Sequence, residues 1–184
     1  AGSLLGEIQS GHLEQVGYDT YCKLLDEVVK EMKGIKVTEE ADVQVDLNVT
    51  CYIPDNYIED SGQKIEVYQK IALCRTEEDI QNVIDEVIDR YGNMPKELEN
   101  LLEVARIKQL AKEQNIVKVE SKQNGVVFTF DSSENIKYDI AELVRKYGNK
   151  IKFSAGIKPM ITYKTDNVKE QELLKQIKEF LEIN

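Results

Sequence analysis

Carboxylates are the residues of this chain best equipped for chemistry. Glu77, Glu78 and Asp79 run together, and Asp85 adjoins Glu86. Paired carboxylates can exchange protons or hold a divalent cation; on the flank of a helix such clusters are ordinarily solvated faces. Other reactive types are sparse. A lone histidine, His12, leaves no Ser, His, Asp set, no GxxxxGKS or GxxxxGKT phosphate loop exists, and no GxGxxG follows a strand. Cys22, Cys51 and Cys74 are odd in number and scattered without a CxxC pair. That pattern argues against a structural zinc centre and a disulfide framework, and it suits a reducing cytosol. The expectation is a chain that is not itself an enzyme, with no catalytic residues, no metal and no cofactor.

Charge points to the kind of partner. A net charge of −10 repels a phosphate backbone, because non-specific nucleic-acid affinity comes from Lys and Arg displacing counterions. A basic protein surface fits better, the plainer reading being that acidity keeps the chain soluble. With 184 residues, 41% of them hydrophobic and 32% charged, the chain can bury one main core and a smaller second one. No apolar run approaches the roughly 20 residues of a membrane span, and no signal peptide is recognisable.

Periodicity places the elements. Leu13 to Met32 reads as a helix with Val16, Leu24, Leu25, Val28, Val29 and Met32 on one stripe, and Gly34 stops it. Residues 34–42 read as a linker. The period then becomes two: Val43, Val45, Leu47, Val49, Cys51 and Ile53 alternate with polar residues, which predicts one long half-buried strand ended by Pro54. A helix follows over 61–74 with Ile65, Tyr68 and Ala72 inward. Thr76 and Asp79 form a variant capping box before the strongest helix, in which Ile80, Val83, Ile84, Val87, Ile88 and Tyr91 repeat at helical spacing up to Gly92. Pro95 stands at a first helical position, and Leu98, Leu101, Leu102, Ala105 and Leu110 carry a further helix to about Gln114.

The last third reads as β-β-α twice. Ile116–Glu120 and Val126–Phe130 flank an Asn124-Gly125 turn, and Ile136, Ile140, Leu143, Val144 and Tyr147 form a helix behind them. Ile151–Phe153 and Ile157–Tyr163 turn at Ala155-Gly156, Pro159 marks its strand as an edge, and Asn167 with Glu170 caps a final helix that buries Leu173, Leu174, Ile177 and Leu181. The fold class is α+β: a small mixed or antiparallel sheet packed with several helices, preceded by an N-terminal helical segment.

One face stands out as a site. Asp79, Asn82, Glu86 and Asp89 fall at i, i+3, i+7 and i+10 of the 76–91 helix, expected opposite its apolar stripe. They form an acidic ridge, and Glu86 can also pair with Arg90 at i, i+4, worth only a few tenths of a kcal/mol. A second, basic set lies in the C-terminal hairpin, where Lys150, Lys152, Lys158 and Lys164 accompany Phe153 and Tyr163. It offers an alternative reading as a nucleic-acid contact.

The run from Ile53 to Ile116, with its IPD turn, the KIEVYQKIA helix, EVIDRYGNMP and LLEVARIK, resembles the C-terminal domain of the bacterial transcription-repair coupling factors, the Mfd family. The opening LLGEIQSGHLEQVGYDTYCKLL is similar to the TRG motif that closes the second motor domain in that family and in the RecG helicase. The resemblance implies three parts: 1–33 as the tail of a superfamily 2 motor, 34–42 as a linker, and 43–184 as an autoinhibitory interaction domain, all at the C-terminal end of a longer cytoplasmic protein. It implies that the parent uses ATP and Mg to move on duplex DNA, displaces stalled RNA polymerase and recruits UvrA through a UvrB-like module. The domain would pack intramolecularly on that module and mask its UvrA surface. Glu86 and Asp89 match the family's acidic contact segment, with Asp79 and Asn82 beside them on the ridge, and Gln9 matches the glutamine that couples the motor to movement.

Overall fold

The structure, a computed structural model, describes residues 43–183. It bears out an α+β fold with five helices and five strands among the described residues. The expected helix over 13–32, the linker and Gln9 lie outside them. The chain divides into two compact units whose described parts are residues 50–105 and residues 43–49 with 106–183.

The first unit starts from the IPD turn. The Pro54 carbonyl accepts from the amides of Tyr57 (3.0 Å) and Ile58 (3.2 Å), and the turn buries Ile53 and Ile58 on either side. Helix α1 (Ser61–Ala72) begins at Asp60, whose carboxylate accepts from the Gln63 amide at 2.9 Å. Its buried residues are Val67, Tyr68, Ile71 and the stem of Lys64; of the expected Ile65, Tyr68 and Ala72, Tyr68 is buried and the other two are only half-buried. The stripe is rotated because Lys64 lays its methylenes in the core and delivers its ammonium to Asp55, a use of lysine that an apolar count does not register. The buried Tyr68 hydroxyl accepts from the Ile53 amide at 2.7 Å, and burial raises its pKa above the ordinary value.

Helix α2 (Glu77–Tyr91) buries Ile80, Val83 and Val87. Helix α3 (Lys96–Glu113) follows, with Pro95 just ahead of its first residue and the Pro95 carbonyl accepting from Leu98 and Glu99 at 3.1 Å. Within this unit α3 buries Leu98, Leu101, Leu102, Val104 and Ala105, and the Asn100 amide donates to the Thr50 carbonyl at 2.9 Å. The division between the units falls within α3, after Ala105.

The second unit is built on one sheet, from β1 (Gln44–Asp46), β2 (Ile116–Lys122), β3 (Gly125–Phe130), β4 (Ile151–Ser154) and β5 (Met160–Lys164), in the order β1-β2-β3-β5-β4. The pair β1 and β2 is parallel and the others antiparallel, so the sheet is mixed as expected. The long strand expected over 43–53 is only three residues. After Asp46 the chain leaves the ladder: the Asn48 amide bonds the Ser121 hydroxyl (3.0 Å) and the Val49 amide turns back to the Leu47 carbonyl (2.9 Å). Alternation continued in the sequence because Ile53 is buried in the first unit, whereas Val43 and Val45 are buried in the second.

The expected hairpin forms with Lys122 opposite Gly125. Asn124 takes the positive φ of 65°, and Gly125 opens β3. A Cβ on Gly125 would stand 2.6 Å from the Tyr163 carbonyl oxygen, so close approach of β5 requires glycine there. Pro159 does not mark an edge: β5 is an inner strand, Pro159 precedes it, and its carbonyl accepts from the Phe130 amide at 2.9 Å. The edge is β4.

Helix α4 (Ile140–Tyr147) is capped by Asp139 and fully buries only Leu143; Ile136 precedes the helix, and Val144 is exposed. Helix α5 (Glu170–Leu181) starts at Glu170 with no side-chain cap, so the Asn167 and Glu170 capping box does not form. Of the face expected for α5, Leu174, Ile177 and Leu181 are buried and Leu173 is half-buried. The centre is instead Phe180, with ring centroids of Phe128 at 4.5 Å, Tyr138 at 5.2 Å, Tyr163 at 5.6 Å and Tyr147 at 6.0 Å. Replacing Phe180 by Ala is expected to cost about 3–5 kcal/mol, read from the shift in urea midpoint. Gly125→Ala forces backbone to move and is expected to cost about 1–3 kcal/mol on the same assay.

Candidate partner-binding face

Helix α2 is satisfied at both ends by its own unit. At its start the Thr76 hydroxyl accepts from the Asp79 amide (3.1 Å), and the Asp79 carboxylate accepts from the amides of Thr76 (3.1 Å) and Arg75 (2.9 Å). This is the expected capping box, and the first of its bonds to the carboxylate, from Arg75, is the main cause that lowers the Asp79 pKa. At its end Gly92 takes a φ of 91°, and the Tyr57 hydroxyl reaches the carbonyls of Gly92 (2.7 Å) and Val87 (3.1 Å). Tyr57 and Tyr91 rings pack at 5.8 Å, Arg90 lies over Tyr91 at 5.2 Å, and the Tyr91 hydroxyl donates to Gln63 at 3.1 Å. The aromatic of the IPDNYI turn therefore fixes the end of the DEVIDRYG helix.

The ridge residues share this helix but not one environment. At about 100° per residue Asp79 and Glu86 flank the buried stripe of Ile80, Val83 and Val87, whereas Asn82 and Asp89 lie on the side opposite it, so only half of the expected ridge opposes the core. Asp79 and Glu86 are half-buried beside that stripe, whereas Asn82 and Asp89 are exposed. Asp79 is engaged in capping. Glu86 is bound by Lys70 of α1 at 2.6 Å and by Arg90 at 3.6 Å, and the Lys70 contact is the main cause that lowers its pKa. The expected Arg90 pair exists, with Lys70 the nearer cation, a partner on another helix that spacing along α2 does not reveal. Asp89 makes no ion pair among the described residues.

The face truly opposite the core carries Glu78, Gln81, Asp85, Ile88 and Asp89. Asp85 accepts from Gln81 at 3.0 Å, and Ile88 is 42% exposed. Ile88 belongs to the expected i, i+3, i+4, i+7, i+8, i+11 stripe, but it stands at the trailing margin of that stripe, about 100° round the helix from Val87, and the structure leaves it outward. An exposed isoleucine flanked by two aspartates is the composition of a contact centre with a charged rim. Thr50 to Ala105 carries thirteen carboxylates against five basic residues. Among the described residues no cluster of three or more His, Cys, Asp or Glu is placed to hold a metal ion, and no helix is long and apolar enough to cross a membrane.

Because the Asp79 carboxylate has a lowered pKa when folded, its stabilisation is complete above the ordinary carboxylate pKa, about 3.9, and is lost as pH falls through the lower folded value. Asp79→Ala is therefore expected to lower the urea midpoint at pH 7, with the difference from the parent closing in strong acid. Urea titrations at a series of pH values check both the sign and the closure.

Comparison with known proteins agrees with this architecture. The TRCF domain family model matches residues 47–141, more than half of the chain. The transcription-repair-coupling factor of Bacillus subtilis is 36% identical over 82% of this chain and 13% of its own length, and that of Rickettsia typhi 34% identical over 85% and 14%. The chain thus spans about a seventh of the length of these curated relatives. A crystal structure of the C-terminal domain of transcription-repair coupling factor superposes with a TM-score of 0.64 at 25% identity, covering 74% of this chain and 87% of that one. The chain belongs to the transcription-repair coupling factor family, and its described part has the fold of that family's C-terminal domain.

Proposed function

We propose that the outer face of α2 is a latch that docks on a basic UvrB-like module of the same parent protein and masks the surface that UvrA needs. The carrying observation is the juxtaposition of exposed Ile88 with Asp89, an aspartate that makes no ion pair among the described residues, on a helix fixed at both ends. Such a latch needs little energy, since tethering supplies a high effective concentration and a few kcal/mol keep the closed state dominant. Charge selects and steers the basic partner; Ile88 supplies area that leaves water on docking. Glu86, already neutralised by Lys70 and Arg90, contributes less than Asp89.

In the same proposal the parent is an ATP-dependent translocase on duplex DNA that displaces stalled RNA polymerase and couples it to excision repair. ATP and Mg act in its motor, to which Gln9 belongs, and this domain restrains the parent without catalysis of its own. The alternative nucleic-acid role of the hairpin lysines is weakened by Tyr163, whose ring is packed against Phe180 and is not offered for stacking.

Titrating the chain with the separately prepared UvrB-like module tests the latch. Asp89→Lys and Ile88→Ser are each expected to weaken binding about tenfold, equivalent to about 1.4 kcal/mol. The Asp89 effect should fade as salt rises, the Ile88 effect should persist, and Asp89→Lys in the full-length parent should raise UvrA affinity. Unchanged binding in both variants would sink the proposal.

A further inference from the structure

The basic character of the second unit is concentrated at one end of its sheet. Residues 143–165 contain Arg145, Lys146, Lys150, Lys152, Lys158 and Lys164 and no carboxylate, in a chain of net charge −10. Strand β4 lies in this stretch and ends the strand order, so one of its two backbone edges is hydrogen-bonded to β5 and the other faces no strand among the described residues. Lys150, Lys152, Lys158 and Lys164 are exposed and make no ion pair among the described residues. The lysines of β2 differ: Lys118 and Lys122 both bind Glu120, at 3.5 and 3.1 Å.

Apolar surface is exposed at the same place. Ile157, in the loop joining β4 to β5, is 94% exposed, and Phe153 and Met160 are each 40% exposed. The register sorts these groups by face. Phe153 pairs with Ile161 and Ile151 with Tyr163, so these four share the face that carries the core; Lys152 pairs with Thr162 and Ser154 with Met160 on the opposite, solvent-facing side. A strand added beside β4 would present alternate residues to the two faces. One set would meet Phe153 and the other Lys152.

We infer that the open edge of β4 is a docking strand for an extended acidic segment of a partner protein, in which carboxylates alternate with aliphatic residues. Backbone hydrogen bonds to β4 supply the register, Lys152 and its neighbouring lysines take the carboxylates, and Phe153 with Ile157 covers the aliphatic side chains. Pairing of β4 with β4 of a second copy is disfavoured, since it brings the lysine-bearing edges together, and like charges across strands are destabilising. Nucleic acid is also disfavoured. Tyr163 is buried, Ile157 has no π-face on which a base could stack, and Phe153, on the core-bearing face of the sheet, is only 40% exposed.

The test titrates the isotope-labelled chain with three probes: a synthetic peptide alternating glutamate with isoleucine, a glutamate-only peptide of equal length, and a single-stranded DNA oligonucleotide. The alternating peptide is expected to shift and protect β4 amides from hydrogen exchange, with α2 amides unmoved. Lys152→Glu and Ile157→Ser, both at exposed positions, should each weaken it about tenfold, equivalent to about 1.4 kcal/mol, with unfolding midpoints unchanged. No protection on β4, equal binding of the glutamate-only peptide, or preferential binding of the oligonucleotide would each overturn the inference.

Discussion

A helix that shows an acidic face to a partner must first satisfy its own backbone, because four amides at its start and four carbonyls at its end have no intrahelical partner. In α2 those ends are met by Thr76, Asp79 and Tyr57, side chains drawn from the N-cap, the helix's own first turn and the IPD turn. The turn is in turn held by Tyr68 of α1, which receives the Ile53 amide, and by Lys64, which binds Asp55. The face of α2 is therefore positioned by polar bonds that converge on its two ends, and the buried stripe of Ile80, Val83 and Val87 fixes its rotation. Without those end contacts the same carboxylates would be distributed over a frayed helix and could not act together.

Much of this was legible in the sequence, since the signals are local. The capping box and Gly92 depend on neighbours a few positions away and read correctly, and the repeat of α2 locates the helix although it draws Ile88 inward. Errors arise where a distant residue intervenes. Lys70 takes Glu86 from another helix, Phe180 enters the centre of an aromatic cluster drawn from β3, β5, α4 and the loop before α4, and Pro159 is harmless because it stops just short of the ladder of an inner strand. Alternation over 43–53 misled for a different reason. Its apolar positions are divided between two cores, and a period of two cannot tell one long strand from a short strand followed by an extended crossing segment.

Charge is segregated along the chain in a way that net charge conceals. The stretch from Thr50 to Ala105 is strongly acidic, whereas 143–165 is wholly basic. Each patch repels partners that the other attracts, so a single figure of −10 describes neither. Cys74 adds no reactive surface: it is buried, and burial, the leading cause, pushes its thiol up to about 11.

The three-residue strand β1 has a consequence for the order in which the chain becomes complete. Gln44 pairs with Lys118, so the parallel ladder cannot close until a ribosome has delivered everything between them, including the whole 50–105 unit. Residues 50–105 are synthesised before β2, so Val43 and Val45 wait for their partner strand. A nascent chain halted before Ile116 would thus carry a fully synthesised α2 and an unprotected β1, two stages of maturation in one molecule.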